Sequence, residues 1–188
     1  MLSEIKGYAF KLKQKGGFTL YNLKIGITGS QGTGKSTLAK RLAEELDLNI
    51  VTEQARKSAK VLGLKKLPNP KESPALSRAF QKLCLQYQLE EEGKYNSFVS
   101  DRTTIDNALY YLLNNAFDGD VADNMNYYRT CRLNAQKYDL LIYVPLEFDI
   151  EDDGFRDADP YRQLEADFLV RCLLKEIRPD FITVTGTV

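Results

Sequence analysis

Leu23-Lys24-Ile25-Gly26-Ile27-Thr28-Gly29-Ser30-Gln31-Gly32-Thr33-Gly34-Lys35-Ser36-Thr37 is the stretch on which the fold turns. Its first six residues read as a short buried strand. Gly29 to Ser36 then fit the phosphate-loop pattern G-x-x-x-x-G-K-[ST], and from Thr37 to Leu46 apolar residues recur at helical spacing. Strand, glycine-rich loop and helix follow in the order that phosphate binding requires. Gly29, Gly32 and Gly34 let the backbone bend with positive φ and approach a ligand with no Cβ in the way. The loop N–H groups then face a phosphate, and the helix that follows adds its positive end.

The same residues define a donor site for ATP. Gly29, Ser30, Gln31, Gly32, Thr33, Gly34, Lys35, Ser36 and Thr37 form the cradle. Lys35 supplies a point charge for the β- and γ-phosphates, and the Ser36 hydroxyl completes a Mg²⁺ shell.

Working outward, 188 residues suffice for one domain with a proper core. Lys plus Arg equals Asp plus Glu, so the formal charge is zero. That balance argues against a partner held by non-specific electrostatics, such as duplex DNA. There is no histidine, so a general base must be a carboxylate and a histidine metal site is excluded. Cys84, Cys131 and Cys172 lie far apart without zinc-ligand spacing and read as free thiols of a reducing compartment. No apolar run reaches transmembrane length. Residues 1–20 carry Lys6, Lys11, Lys13 and Lys15 and lack the apolar core of a signal peptide. The expectation is a cytoplasmic protein, with a loosely attached extension over 1–20 and one phosphate-loop kinase domain over 21–188.

Strands and helices alternate along the rest of the chain. Asn49 to Thr52 reads as a second strand ending on Glu53, and a helix follows to Leu62 with Gly63 as its stop. Residues 65–74 are proline-rich and read as a loop. Ser73-Pro74 is a helix start, with serine as N-cap and proline at the first position. That long helix reaches about Glu92, with Leu76, Ala79, Phe80, Leu83, Cys84 and Tyr87 as its apolar stripe. Phe98 to Ser100 is a third strand ending on Asp101-Arg102. Helices follow from about Thr104 to Asn115 and from Val121 to Ala135. Leu140 to Val144 is the clearest strand, Asp159-Pro160 starts a helix to Ile177, and Phe181 to Val184 is the fifth strand. This order predicts an α/β fold, a five-stranded parallel sheet flanked by helices. Ligands in such sheets bind beyond the carboxyl ends of the strands, where Gly29–Ser36, Glu53, Asp101 and Arg102 all fall.

Phosphoryl transfer needs a cradle, a metal, a carboxylate for the acceptor and cations around the moving group. Asp101 follows an apolar strand and is placed to hold Mg²⁺ with Ser36. Glu53 is placed to accept the proton of an acceptor hydroxyl, and the choice of base between Glu53 and Asp101 stays open. Residues 152–162, between the fourth strand and the last helix, occupy the place of a lid, in which Arg156 and Arg162 carry the cations. Phe80 and Gln81, at the start of the long helix, are candidates to stack on and hydrogen-bond an acceptor ring. Each has a plain structural alternative: a cap neighbour for Glu53, a helix cap for Asp101, a surface ion pair for Arg102, core packing for Phe80.

A GTPase would show N-K-x-D and D-x-x-G, and neither is present. An AAA+ motor would end its third strand on Asp-Glu, where this chain has Asp101-Arg102. That pair, with a glutamate after the second strand, resembles the nucleoside and nucleotide kinases. Thr52-Glu53-Gln54-Ala55-Arg56, Ser100-Asp101-Arg102-Thr103-Thr104, Tyr138 to Ile142 and Asp153-Gly154-Phe155-Arg156 resemble more closely an AAA-labelled phosphate-loop family. It is linked to NAD metabolism and typified by ribosylnicotinamide kinase domains. The resemblance covers nearly all of the chain after Tyr21. It implies an ATP- and Mg²⁺-dependent small-molecule kinase, with Lys35 and Ser36 serving the donor and Asp101 the metal or acceptor hydroxyl. Arg156 then lies in the lid, and Glu53, Arg56, Phe80, Gln81 and Arg102 lie on the acceptor side.

The leading expectation is γ-phosphate transfer to a nucleoside or nucleoside monophosphate. The alternatives are a kinase acting on a modified base or hydroxyl in nucleic acid, and a nucleotide-binding ATPase module without an acceptor. For the nucleic-acid alternative, Lys57, Lys60, Lys65, Lys66 and Lys71 are the residues to watch. The expected partner is a small nucleoside or nucleotide. No membrane is involved, and a homodimer is entertained.

Overall fold

The computed structural model describes residues 5–8, 22–115, 120–147, 154–155 and 159–186. Five strands form one sheet: β1 (Lys24–Thr28), β2 (Asn49–Val51), β3 (Phe98–Asp101), β4 (Leu140–Tyr143) and β5 (Ile182–Thr183). Their order is β2-β3-β1-β4-β5, and every pairing is parallel. Six helices flank it: α1 (Lys35–Leu46), α2 (Ala55–Val61), α3 (Pro74–Glu92), α4 (Thr104–Asn115), α5 (Val121–Ala135) and α6 (Pro160–Ile177). The expected α/β architecture is present, a phosphate-loop fold of the kinase type. No helix among the described residues is long and apolar enough to cross a membrane.

Both sheet faces are covered, so each strand alternates between two apolar clusters. Ile25, Ile27, Leu140 and Ile142 pack with Leu38, Ala39 and Leu42 of α1. Leu141 and Tyr143 face the other way, toward Ile105 and Leu109 of α4 and Val170 of α6. Gly26 faces that second side, and a Cβ there would lie 2.6 Å from Thr103 Cγ2 and 2.9 Å from Leu141 Cδ2. Its lack of a side chain lets the start of α4 sit directly on the sheet, which brings Arg102 to the rim.

Helix ends differ in detail from the sequence reading. α1 begins at Lys35 rather than Thr37, directly from Gly34 in the left-handed region. Ser73 makes no side-chain cap bond, whereas Asp159 accepts from the Tyr161 N–H at 2.9 Å. Residues 5–8, inside the expected extension, form a helical turn that buries Ile5 among the α1-side residues. Lys6 there pairs with Glu45. Cys84 and Cys131 are buried and Cys172 is exposed.

Candidate active site

The phosphate loop runs off the end of β1 with Gly29, Gly32 and Gly34 at φ of 148, 76 and 82°. Lys35 is buried and turned into the loop, where its ammonium donates to the Ser30 carbonyl and, at 3.0 Å, to Thr33 Oγ1. Burial, and then the Arg102 charge, pull the Lys35 pKa down to about 7 against the attraction of Asp106, Asp101 and Glu53. An ammonium so poorly compensated calls for an anion. Ser36 hydrogen-bonds to Asp101, whose carboxyl is pushed up by burial and pulled back by that bond and by Arg102 and Lys35. A hydroxyl beside a buried carboxylate at the end of a cationic loop fits the sparse protein ligand set of Mg²⁺. Among the described residues no cluster of three or more metal-ligating side chains exists. Phosphate oxygens and water would therefore complete the shell. The buried Ser30 hydroxyl has no partner, a second sign that the loop fits a phosphate.

Arg102 is the hub of a polar cluster beside the loop. It stands at φ 84°, in a region that costs a non-glycine residue roughly 1–2 kcal/mol, and its neighbours hold it there. Its N–H donates to the Ile27 carbonyl at 3.0 Å. Its guanidinium reaches Glu53 Oε1 at 2.6 Å, Asp106 Oδ1 at 3.2 Å and the Tyr110 hydroxyl at 3.4 Å. Asp106 Oδ2 meanwhile accepts from the Thr103 N–H at 2.8 Å and hydroxyl at 2.9 Å, while Thr103 Oγ1 accepts from the Ile105 N–H. This capping box starts α4. The cap of α4 is thus Thr103, not Asp101, and Arg102, its side chain 11% exposed, is enclosed by its ion pairs rather than being a surface partner.

Behind this hub, Gln88 Nε2 donates to Ser100 Oγ at 2.8 Å and to Glu92 Oε1 at 2.6 Å. The Tyr138 hydroxyl closes the network by donating to Glu92 at 2.5 Å. Burial raises the Glu92 pKa against the hydrogen bonds from Tyr138, Gln88 and Ser100.

A cavity of about 810 Å³ opens beside the loop. Its inner end holds Gln31, Glu53, Arg102, Asp106 and Asn107. One wall is the buried stripe of α3, from which Phe80, Gln81, Cys84 and Gln88 face in. That stripe is rotated from the expected one: Ser77, Gln81, Leu85 and Gln88 are buried with Phe80 and Cys84, while Leu76, Leu83 and Tyr87 are only partly covered and Ala79 is exposed. The helix turns polar residues inward because it faces a cavity rather than dry core. The Tyr127 hydroxyl of α5 braces the wall by donating to the Gln81 carbonyl at 3.0 Å. Lys66, Leu67, Pro68 and Lys71 form the outer wall, with Gly154, Phe155 and Arg162 opposite the sheet.

The residues singled out by sequence divide as follows. Glu53, Phe80, Gln81, Arg102 and Arg162 line the cavity together with Gln31. Asp101 sits below it against Ser36. Arg56 is not among the lining residues; its guanidinium lies over the Phe155 ring, 4.6 Å from the centroid. Arg162 donates to Asn114 and to Glu165. Arg156 lies outside the described residues. Sequence reading passed over Asp106, Asn107, Tyr110, Gln88 and Phe155. For Asp106 a signal was present, the T-x-x-D box of residues 103–106.

An all-parallel sheet of this order, a phosphate loop after its central strand and a cavity beside that loop define a phosphate-loop protein of kinase-like fold. Residues 24–188 match the AAA domain family model AAA_28, and the chain belongs to that family. No curated protein matches the sequence. Among solved structures, deoxyadenosine kinase from M. mycoides has a TM-score of 0.65 at 19% identity, over 87% of this chain and 90% of that one. NadR protein in complex with NR has a TM-score of 0.57 at 18% identity, over 88% of this chain. This chain spans about half the length of NadR, 46% of it. Those likenesses establish the fold.

Proposed function

We propose that the protein is an ATP-dependent phosphotransferase that moves the γ-phosphate to a hydroxyl or phosphate of a nucleoside or nucleoside monophosphate. The observation that carries this reading is the cavity of about 810 Å³ that meets the phosphate loop at Gln31 and is lined beside it by Glu53 and Arg102. A nucleotide-binding module without an acceptor has no use for such a chamber. Its two ends differ in chemistry: a carboxylate–guanidinium pair inside suits a hydroxyl, and the α3 wall, with the Phe80 ring and the Gln81 and Gln88 amides, suits a planar heterocycle.

On this reading Lys35 and the loop N–H groups hold the donor phosphates. Ser36 and Asp101 hold Mg²⁺, which when bound neutralises charge on the β- and γ-oxygens. Glu53 accepts the proton of the acceptor hydroxyl as its oxygen bonds to the γ-phosphorus and the bond to the ADP oxygen breaks. Arg102 orients Glu53 through the 2.6 Å bond. Arg162, with Arg156 on sequence grounds, supplies positive charge near the transferring group. Phe80 and Gln81 receive the ring of the acceptor. NadR and deoxyadenosine kinase, solved with NR and with dATP respectively, support a nucleoside-type acceptor by analogy of fold.

The test is ADP release with ATP and Mg²⁺ across nucleosides, nucleoside monophosphates, ribosylnicotinamide and single-stranded DNA. Acceptor-dependent turnover of order 1–100 per second with one small molecule bears the proposal out. Slow release indifferent to every acceptor refutes it in favour of an ATPase module. A response to DNA alone would favour nucleic acid, the reading that Lys66 and Lys71 on the outer wall support.

A further inference from the structure

Resting on the acceptor reading just proposed, we infer that Phe155 is a specificity-determining residue whose ring packs against the planar heterocycle of the acceptor. The segment between β4 and α6 was expected to cover the donor phosphates. Its described part leans the other way. Gly154, at φ 68°, turns the chain so that Phe155 falls to 8% exposure among Ala59, Phe80 and Cys84. The Phe155 carbonyl accepts from the Leu67 N–H at 3.1 Å, and the Arg56 guanidinium covers one face of the ring. Three acceptor-side elements therefore hold this residue: α2, α3 and the loop before α3. Phe155 nonetheless lines the cavity, as do Phe80 and Gln81.

A phenyl ring offers a cavity area and a π-face but no hydrogen bond, so it selects a planar, weakly polar group. Hydroxyl recognition stays with Glu53 and Arg102 at the inner end.

The chain contains no tryptophan, so Phe155→Trp installs a single fluorescent reporter at this wall. The F155W protein is titrated with adenosine, cytidine and thymidine and with their 5′-monophosphates, with ribose as the ring-free control, and with ATP alone. Wild-type protein is titrated in parallel by calorimetry. The expected result is an emission change that saturates at the calorimetric Kd of a nucleoside and is absent with ribose. F155A is expected to raise the acceptor KM roughly tenfold or more and to leave the ATP KM within about twofold. F155L, which keeps the packing against Phe80, falls between. Nucleoside binding by calorimetry with a silent F155W, or a response to ATP alone, overturns the inference and leaves the proposed function standing. A wild-type protein that binds neither a nucleoside nor a nucleoside monophosphate overturns both.

Discussion

Alanine at Gly29 and alanine at Gly34 should have unequal costs, although both glycines belong to the same loop and both have positive φ. At Gly34 a Cβ would meet nothing within 4 Å, so the substitution bears only the left-handed backbone cost, roughly 1–2 kcal/mol. A gain of about 0.4–1 kcal/mol from a stiffer unfolded chain offsets part of it. At Gly29 the Cβ would lie 2.3 Å from the Val144 carbonyl oxygen, against an ordinary C···O contact of about 3.3 Å. Something must move by about 1 Å, and it is backbone. The Val144 N–H is bonded to the Thr28 carbonyl at 2.9 Å, and the next strand is tied to Tyr143 at 2.9 Å. Overpacking of that kind costs about 1–3 kcal/mol beyond the φ penalty. For a chain of this length each kcal/mol is about 2–4 °C. G34A should therefore melt about 2–4 °C below wild type and G29A about 6–12 °C below it, by circular dichroism without nucleotide. Equal shifts, or a larger one for G34A, would sink the argument. A folded G34A that no longer binds ATP would then report on the loop itself.

Three further outcomes are expected. Lys35→Ala should abolish turnover while leaving the fold intact, since the buried ammonium bonds only within the loop; undiminished activity would remove the loop from the mechanism. Arg102→Met removes the guanidinium that pairs with both Glu53 and Asp106, which costs about 3–5 kcal/mol and about 6–20 °C in melting temperature; a shift below about 2 °C would show that the pairs contribute nothing. Glu92 has a folded pKa above its ordinary 4.5, so the folded state binds the extra proton and stability falls as pH rises from about 4.5 through the folded value. Glu92→Gln keeps an acceptor for Gln88 and Tyr138 and removes that slope, so its stability relative to wild type should grow over the same window; parallel urea curves at pH 5 and 8 would contradict this.

The donor half of the site was legible because it is contiguous. One run, residues 29–37, carries the whole phosphate cradle, and its strand and helix are written on either side. Glu53 and Arg102 were legible through a rule of place: each follows an apolar run, and the ends of parallel strands converge. What escaped was whatever depends on how helices rotate and where loops return. The α3 stripe was read from its apolar residues with Gln81 as a polar candidate, yet the helix also turns Ser77 and Gln88 inward because a cavity, not core, lies opposite. Tyr110 joins the hub only because it lies two turns along α4 from Arg102. Phe155 sits alone in a charged stretch, with no periodicity to mark it. The requirement at Gly26 is likewise invisible, since Thr103 arrives there from a distant part of the chain.

Under the proposed function, with the loop as donor cradle and the cavity as acceptor chamber, that division has a physical consequence for how the protein acquires its substrate. The donor cradle is made mostly of backbone N–H groups, whose positions follow from glycine dihedrals and a helix start, so few side chains can vary without losing the phosphates. The acceptor chamber is made of side chains from α2, α3, α4, the loop before α3 and residues 154–155, each anchored independently. Asp106 shows how the two halves are joined. One of its oxygens caps α4 and the other holds Arg102, so the start of the helix and the orientation of the guanidinium are set together. Arg102 in turn bonds to the Ile27 carbonyl, immediately before Thr28 and the loop. The hub is therefore referenced to the same strand that launches the phosphate cradle. A substitution at Phe80, Gln81 or Phe155 changes what fits in the chamber without disturbing that reference, whereas one at Asp106 disturbs the cap, the guanidinium and the reference to β1 at once. Changes in acceptor preference should accordingly map to the wall residues, and loss of transfer with every acceptor to the hub.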